Sequence, residues 1–403
     1  MDLPNEIWMK ILSFLPTHDI LKNFNLTCKH FYSLATNPCA IKCLNLKLEN
    51  AKDSSQYQEI VKVLQRSKTL NKLIIEGQGR NMNHILAHGL KSNHLKTLQV
   101  LSHIEATMTK KNLEYIKKSN IESLKLEEVI LDNHAMKQIG ALKTLKSVRI
   151  LLSFGSRQMT SISELIKTFI EAKIELEDLA IVARRDLELY PSVFSKFLEE
   201  RGETLKKLNI RCTLDDSTWK NERKRVTFST KWNATSNLEE LYYDDHGSQN
   251  GRSFPIEFGA EMPNLTKLVL RNINGNILLN FGTQKFPVLE RLYLDIRFGD
   301  ENLTRKTIFN ILKNCPGLKS VKLLGLNLSE PEARYTWCAF LCKMYKDFNV
   351  YIDIFNYQNW SINFSTEVFE KYLKKTYLAT FNKYTNIKTN YLDWEKSDEY
   401  FGW

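Results

Sequence analysis

A short aliphatic pattern recurs along most of the chain and constrains its fold more than any other feature. The unit is L-x-x-L-x-L, with other aliphatic residues or tyrosine at some positions. Successive units begin 24 to 33 residues apart. They lie at Ile41-Leu44-Leu46, Leu70-Leu73-Ile75, Leu95-Leu98-Val100, Ile121-Leu124-Leu126, Leu145-Val148-Ile150, Leu176-Leu179-Ile181, Leu205-Leu208-Ile210, Leu238-Leu241-Tyr243, Leu265-Leu268-Leu270, Leu289-Leu292-Leu294 and Leu318-Val321-Leu323. Val350-Ile352-Ile354 continues the register without the leading leucine.

This pattern predicts one β-strand per unit. A strand alternates its side chains, so the last two positions of each unit point to one shared core, and the first reaches that core from the preceding turn. One unit cannot bury its own apolar face, but stacked neighbours can. The period is that of leucine-rich repeats. It predicts an α/β solenoid, a curved horseshoe with parallel strands on the concave wall and helices on the convex side.

Helices are expected between the strands. Ser161-Ile162-Ser163-Glu164 has the pattern of a capping box before an apolar run. A second helix is predicted over Pro191–Glu200, with Gly202 as a left-handed C-terminal cap. Further helices are predicted over Gln56–Ser67, Thr304–Lys313 and Pro331–Lys346.

The first forty-odd residues do not follow the repeat. Ile7, Trp8, Ile11, Leu12 and Leu15 are spaced to form one apolar face of a short helix. Proline at position 4 suits the first helical turn, and proline at position 16 ends the helix. Two further apolar clusters follow. Three short helices cannot bury all of this surface among themselves, so part of it is expected to contact another protein.

This N-terminal run resembles the F-box motif. The matching residues are Leu3, Pro4, Glu6, Ile7, Ile11, Leu12, Leu15, Asp19, Ile20, Cys28, Lys29 and Phe31. The resemblance implies a three-helix F-box that docks on the Skp-type adaptor of a cullin–RING ubiquitin ligase. The adaptor contacts it implies are Leu3, Pro4, Ile7, Ile11, Leu12, Leu15, Asp19 and Leu21. The alternative is an ordinary helical cap on the domain that follows.

The pattern divides the chain into an F-box at residues 1–43, repeats at 44–355 and an aromatic-rich tail at 356–403. The tail is interpreted as a cap over the open end of the solenoid, or else as a segment that folds back along the inner wall. Two insertions, Cys212–Asn237 and Asp244–Ser253, interrupt the repeats. The basic run Lys220–Arg225 is either a nuclear import signal or a solvated loop.

Composition limits the class of protein. No stretch approaches eighteen apolar residues and no secretory signal is recognisable, so we expect no membrane association and a cytoplasmic or nuclear location. The seven cysteines are scattered, which favours a reducing compartment. The net charge of +11 is compatible with nucleic acid as a partner. Against that partner, the basic residues are not gathered on one helix and no aromatic–basic RNA-binding motif is present.

No catalytic constellation is visible, and the sequence predicts neither a metal nor any other cofactor. Gly77-Gln78-Gly79 lacks the third glycine and the lysine of a phosphate loop. His84 and His88 could share a helix face, but the residues between them do not include the glutamate of a zinc protease. The protein is therefore expected to be a non-catalytic subunit.

Binding is instead predicted on the outward positions of the strands. Tyr242, Val269 and Tyr293 should form one column, flanked by Arg271 and Arg291. Tyrosine and arginine are frequent interface hot spots, and arginine binds carboxylates and phosphates with two parallel hydrogen bonds. The predicted substrate-binding residues are Arg211, Tyr242, Lys267, Arg271, Arg291 and Tyr293, for an acidic or phosphorylated protein segment. The alternative is a solvated strand face of mixed charge.

These features predict a substrate-recognition subunit of an SCF-type ubiquitin ligase, assembled with an adaptor, a cullin and a RING subunit. The alternatives are an interaction scaffold without a role in ubiquitin transfer and a basic repeat protein that binds nucleic acid.

Overall fold

The computed structural model describes residues 4–12, 43–48, 70–77, 80–92, 94–152, 162–183, 191–212, 226–228, 237–245, 256–258, 262–274, 286–298, 301–324 and 351–355, together with 58, 60–62 and 64–65. The chain forms two compact units, Met1–Glu222 and Arg223–Trp403.

The first unit contains a parallel sheet in which each strand pairs with its predecessor in the chain. The strands are β1 (Cys43–Leu48), β2 (Lys72–Gly77), β3 (Thr97–Thr107), β4 (Ser123–Ile130), β5 (Ser147–Leu152), β6 (Asp178–Ala183) and β7 (Lys207–Cys212). Parallel neighbours need a crossover connection. The crossovers from β2 onward contain α2 (Arg80–Gly89), α3 (Lys110–Lys118), α4 (Asn133–Gly140), α5 (Ile162–Glu171) and α6 (Pro191–Arg201), and α1 (Asn5–Leu12) precedes the sheet.

The core of this unit lies between the strands and the helices. Side chains of β2 alternate between half-buried and buried, and Leu73 and Ile75 are fully buried. On the helix side Ile85 and Leu86 of α2 are also buried. A Cβ at Gly89 would lie 2.3 Å from Leu73 Cδ2, so the end of α2 packs directly on β2. Each helix from α2 to α6 packs against the next.

Gly77 ends β2 in a conformation that requires glycine. Its φ is +148°, and a Cβ there would lie 2.6 Å from the Cβ of Leu48 and 2.7 Å from the Leu48 carbonyl oxygen. Side chains are rarely accommodated at such a φ. Gly77, which the sequence analysis considered as part of a phosphate loop, therefore allows β1 and β2 to approach closely.

Side chains that accept hydrogen bonds from backbone N–H groups set two helix starts. The Thr109 hydroxyl accepts from the Asn112 N–H at 3.2 Å, and Asp132 Oδ1 accepts from the Ala135 N–H at 2.7 Å. Both are N-caps of the expected chemistry. The predicted left-handed cap at Gly202 is wrong, because Gly77 is the only described glycine with a positive φ. After Arg201 the chain continues as a 3₁₀ turn at Gly202–Thr204, and the Thr204 hydroxyl donates to the Leu176 carbonyl at 2.8 Å.

The second unit contains a parallel sheet of β9 (Glu240–Asp245), β11 (Lys267–Asn274), β12 (Arg291–Phe298), β13 (Ser320–Leu324) and β14 (Tyr351–Phe355). A separate parallel pair joins β8 (Val226–Phe228) to β10 (Ile256–Phe258), which the sequence pattern does not predict. Helix α7 (Glu301–Asn314) begins three residues before its predicted start at Thr304. Met262, Phe286 and Cys315 are buried, and each is followed by a proline in the turn before a strand.

The predicted strands are confirmed in both units where the chain is described. Four predicted features lie outside the described residues: residue 161 of the capping box, the basic run Lys220–Arg225, the helix predicted over Pro331–Lys346 and the tail from 356 onward. None of the described helices is long and apolar enough to cross a bilayer.

Candidate functional site

An apolar ridge on α1 is the first candidate site. The Pro4 carbonyl accepts hydrogen bonds from the N–H groups of Ile7 at 3.0 Å and Trp8 at 3.2 Å, which starts the helix. Ile7 is 44% exposed and Ile11 is 38% exposed, so both apolar side chains face solvent. Residues four apart lie on the same helix face. The two isoleucines form a continuous surface, here called the α1 ridge.

The α1 ridge contains part of the predicted adaptor contacts. Pro4 is exposed beside Ile7 and Ile11, and Leu12 is the last residue of the helix. Leu3, Leu15, Asp19 and Leu21 lie outside the described residues, so their contacts stay predictions. Elsewhere in the described part of the chain, Val288 and Phe309 are the other large apolar side chains with similar exposure. Both are in the second unit, Val288 in the turn before β12 and Phe309 on the helix α7.

The strand face of the second unit is the second candidate site. Val269 is in register with Tyr242 on one side and with Tyr293 on the other, and Tyr293 is in register with Lys322. The predicted column of Tyr242, Val269 and Tyr293 is therefore confirmed. Tyr242 is half-buried, whereas Val269 and Tyr293 are buried.

Next to this column lies a cluster of buried charges. Arg271 is 4% exposed, and its Nη1 donates to the Tyr242 hydroxyl at 2.9 Å. The Arg271 Nε lies 3.8 Å from Asp244 Oδ2 and 3.9 Å from Asp295 Oδ2. Both carboxylates are also buried. Arg271 therefore joins three strands through side chains of its own unit.

Burial and neighbouring charges shift the pKa values of Arg271 and Tyr293. Burial alone would lower the pKa of Arg271, but Tyr242, Asp244 and Tyr293 raise it above its ordinary value. Burial raises the pKa of Tyr293, against the opposing effect of the Arg271 guanidinium. The arginine is therefore a permanent cation and Tyr293 a neutral phenol near neutral pH.

Other cations of this face are more accessible than Arg271. Arg291 is exposed, and Lys267 and Lys322 are half-buried. Lys267 Nζ lies 3.8 Å from Glu240 Oε2 on the neighbouring strand. An incoming anion would therefore contact Arg291 before it could reach the buried Arg271. A substrate contact by Arg271 stays a prediction. Arg211, the remaining predicted contact, is half-buried on β7 of the first unit.

The first unit carries a polar cluster that the sequence analysis does not identify. Arg149 donates to Asp178 Oδ2 through Nη2 at 2.7 Å and Nε at 3.0 Å, and the Ser147 hydroxyl donates to the same oxygen at 3.1 Å. The strand pattern already places all three residues at outward positions of β5 and β6, so it could have indicated this cluster. Their separation in sequence hides the pairing until the strand register is known.

The histidine pair on α2 is confirmed as sharing a helix face, since the rings of His84 and His88 lie 4.7 Å apart. Burial, followed by the neighbouring His84, Lys91 and Lys111, lowers the pKa of His88. Among the described residues, no three side chains of histidine, cysteine, aspartate or glutamate are grouped to hold a metal ion. Burial raises the pKa of the Cys315 thiol to about 12, so this thiol is not activated.

Comparison with known proteins identifies the N-terminal segment. No curated protein matches the chain. Residues 1–46 match the F-box-like family, and this range includes the α1 ridge and ends within β1. F-box domains bind Skp-type adaptors, which indicates a role as a component of a ubiquitin ligase. The chain thus carries an F-box-like domain at its N-terminus.

Proposed function

We propose that this protein is a non-catalytic substrate receptor of a cullin–RING ubiquitin ligase. Its F-box-like domain would bind the Skp-type adaptor, and its strands would hold a protein substrate. A substrate tethered in this way meets the ubiquitin-conjugating enzyme at a high effective concentration. A cytoplasmic or nuclear location belongs to the same proposal.

The observation that supports adaptor binding is the α1 ridge inside the F-box-like range. Burying one isoleucine side chain contributes about 1.5–3 kcal/mol. Two neighbouring isoleucines on one helix face provide a compact apolar anchor. A charged residue in their place would be desolvated on docking without a partner, which opposes binding further.

The test is a binding titration between the purified chain and a Skp-type adaptor. We expect Ile11→Asp to weaken binding by at least tenfold, because about 1.4 kcal/mol corresponds to a factor of ten. Val288→Asp is the matched control, since Val288 is 42% exposed and Ile11 38%, and Val288 lies in the other unit. Equal binding by the wild type and Ile11→Asp would contradict the proposal. Co-purification of a cullin with the wild-type chain would indicate a ligase subunit, and its absence would indicate an interaction scaffold.

We also propose that the repeats form a leucine-rich-repeat solenoid. Two observations support this: the aliphatic triplets recur at the period of that family, and consecutive triplets lie on neighbouring parallel strands within each unit. The substrate would bind the strand face of the second unit. Arg291, Lys267 and Lys322 give this face its accessible positive charge, which suits an acidic or phosphorylated segment.

A further inference from the structure

Five exposed lysines gather at one edge of the first unit. Helices α2, α3 and α4 follow successive parallel strands and pack side by side, so their C-terminal ends lie at the same edge. Lys117 and Lys118 occupy the last turn of α3, and Lys137 the last turn of α4. Lys91 and Lys143 lie in the turns after α2 and α4. These five residues are here called the lysine edge.

The charge of the lysine edge is not neutralised locally. The neighbouring Lys96 is paired with Glu122 at 2.8 Å, and Lys146 with Glu177 at 3.9 Å. Within the described residues, no carboxylate lies within ion-pair distance of the lysine edge. Apart from Glu122, the described segments 80–92, 94–122 and 133–146 contain two acidic residues, Glu105 on β3 and Glu114 in the middle of α3.

Helix stability alone does not account for these lysines. A cation in the last turn of a helix is favourable because of the helix dipole. The next two helices end differently: the last turn of α5 carries Glu171 and no basic residue, and α6 ends in Glu199, Glu200 and Arg201. Lys91 and Lys143 lie beyond the helices altogether. The turn after α5 also carries an exposed lysine, Lys173, but of the helices α2 to α6 only α2, α3 and α4 have no acidic residue in the last turn.

The chemistry of this edge suits phosphates more than a protein surface. Lysine is depleted at protein–protein interfaces but neutralises nucleic-acid phosphates. Tyr115 is the one phenylalanine, tyrosine or tryptophan in residues 80–146, and it is half-buried, so the edge offers no exposed ring of these three types for single-stranded bases to stack on. Three helices packed 8–10 Å apart give an edge of roughly 20 Å. We propose that the lysine edge binds the phosphate backbone of duplex nucleic acid without reading its sequence.

The experiment measures binding of the full chain to a fluorescent 20-base-pair DNA duplex by anisotropy over a range of KCl concentrations. Each phosphate neutralised adds about −0.9 to the slope of log K against log salt. We expect the double variant Lys117→Glu/Lys118→Glu to flatten this slope by about 2. Lys306→Glu/Lys313→Glu changes the net charge equally, on exposed lysines of α7 in the second unit, and should leave the slope unchanged.

Identical slopes for the two double variants would overturn the proposal. Tighter binding of a single DNA strand of the same length than of the duplex would also overturn it. A third contrary result would be that the chain does not bind the duplex but binds a polyglutamate peptide through Lys117 and Lys118. Thermal unfolding of each variant checks the fold. The neutral pair Lys117→Gln/Lys118→Gln tests the same slope change without charge reversal.

Discussion

Two arginines on neighbouring strands of the second unit show how one residue type serves two purposes. Arg271 is buried among Asp244, Asp295 and Tyr242, whereas Arg291 is exposed. Both occupy outward positions of the strand pattern, so their sequence contexts predict the same role. The difference arises from the carboxylates on the strands to either side of Arg271, which are distant in sequence. The register of three strands has to be known before that difference can be predicted.

Removing the buried guanidinium should be costly. Arg271→Leu leaves two buried carboxylates without this cation, and breaking a buried pair in this way costs about 3–5 kcal/mol. The free energy of unfolding, measured by chemical denaturation, should fall by that amount. It should change by less than about 0.5 kcal/mol in the matched control Arg291→Leu, because Arg291 is at the surface.

The same two variants separate stability from recognition. Arg291→Leu should weaken binding of a glutamate-rich peptide to the chain, while its stability is unchanged. Equal stability of both variants would show that the buried cluster does not hold the strands together. An unchanged peptide affinity in Arg291→Leu would remove this arginine from the proposed substrate site.

At the scale of elements, the junction of β1 and β2 depends on Gly77. Gly77→Ala places a Cβ against Leu48 at a φ of +148°. A residue held in such a conformation costs about 1–3 kcal/mol. Gln99→Ala, at a half-buried outward position of β3, is the control and should stay within about 0.5 kcal/mol of the wild type. If Gly77→Ala leaves the free energy of unfolding unchanged in the same denaturation experiment, β1 can move away from β2 without a loss of stability.

The elements themselves were largely predictable, because the aliphatic period specifies a strand wherever the chain is described. The column of Tyr242, Val269 and Tyr293 follows from that period alone. The end of α6 was not predictable from Gly202. The Thr204 hydroxyl donates a hydrogen bond to the Leu176 carbonyl, in the turn before β6, and this bond favours a 3₁₀ turn after α6. The lysine edge was not predictable either. Its lysines are dispersed in the sequence, and only the packing of α2, α3 and α4 brings them together.

At the scale of the whole molecule, the proposed activities divide between the two units. The α1 ridge and the lysine edge belong to Met1–Glu222, whereas the tyrosine column and Arg291 belong to Arg223–Trp403. Each unit has its own parallel strand pairs and its own buried residues. The binding functions are therefore expected to be separable by cutting the chain between residues 222 and 223.

Two fragments test this division. Fragment 1–222 should bind a Skp-type adaptor and a DNA duplex with affinities close to those of the full chain, and it should not bind the glutamate-rich peptide. Fragment 223–403 should bind the peptide alone. Circular dichroism and a cooperative thermal transition establish that each fragment is folded, and the Ile11→Asp change within fragment 1–222 controls for non-specific adaptor binding. A folded fragment 1–222 that fails to bind the adaptor would contradict the assignment of docking to the α1 ridge, because that ridge lies entirely within it.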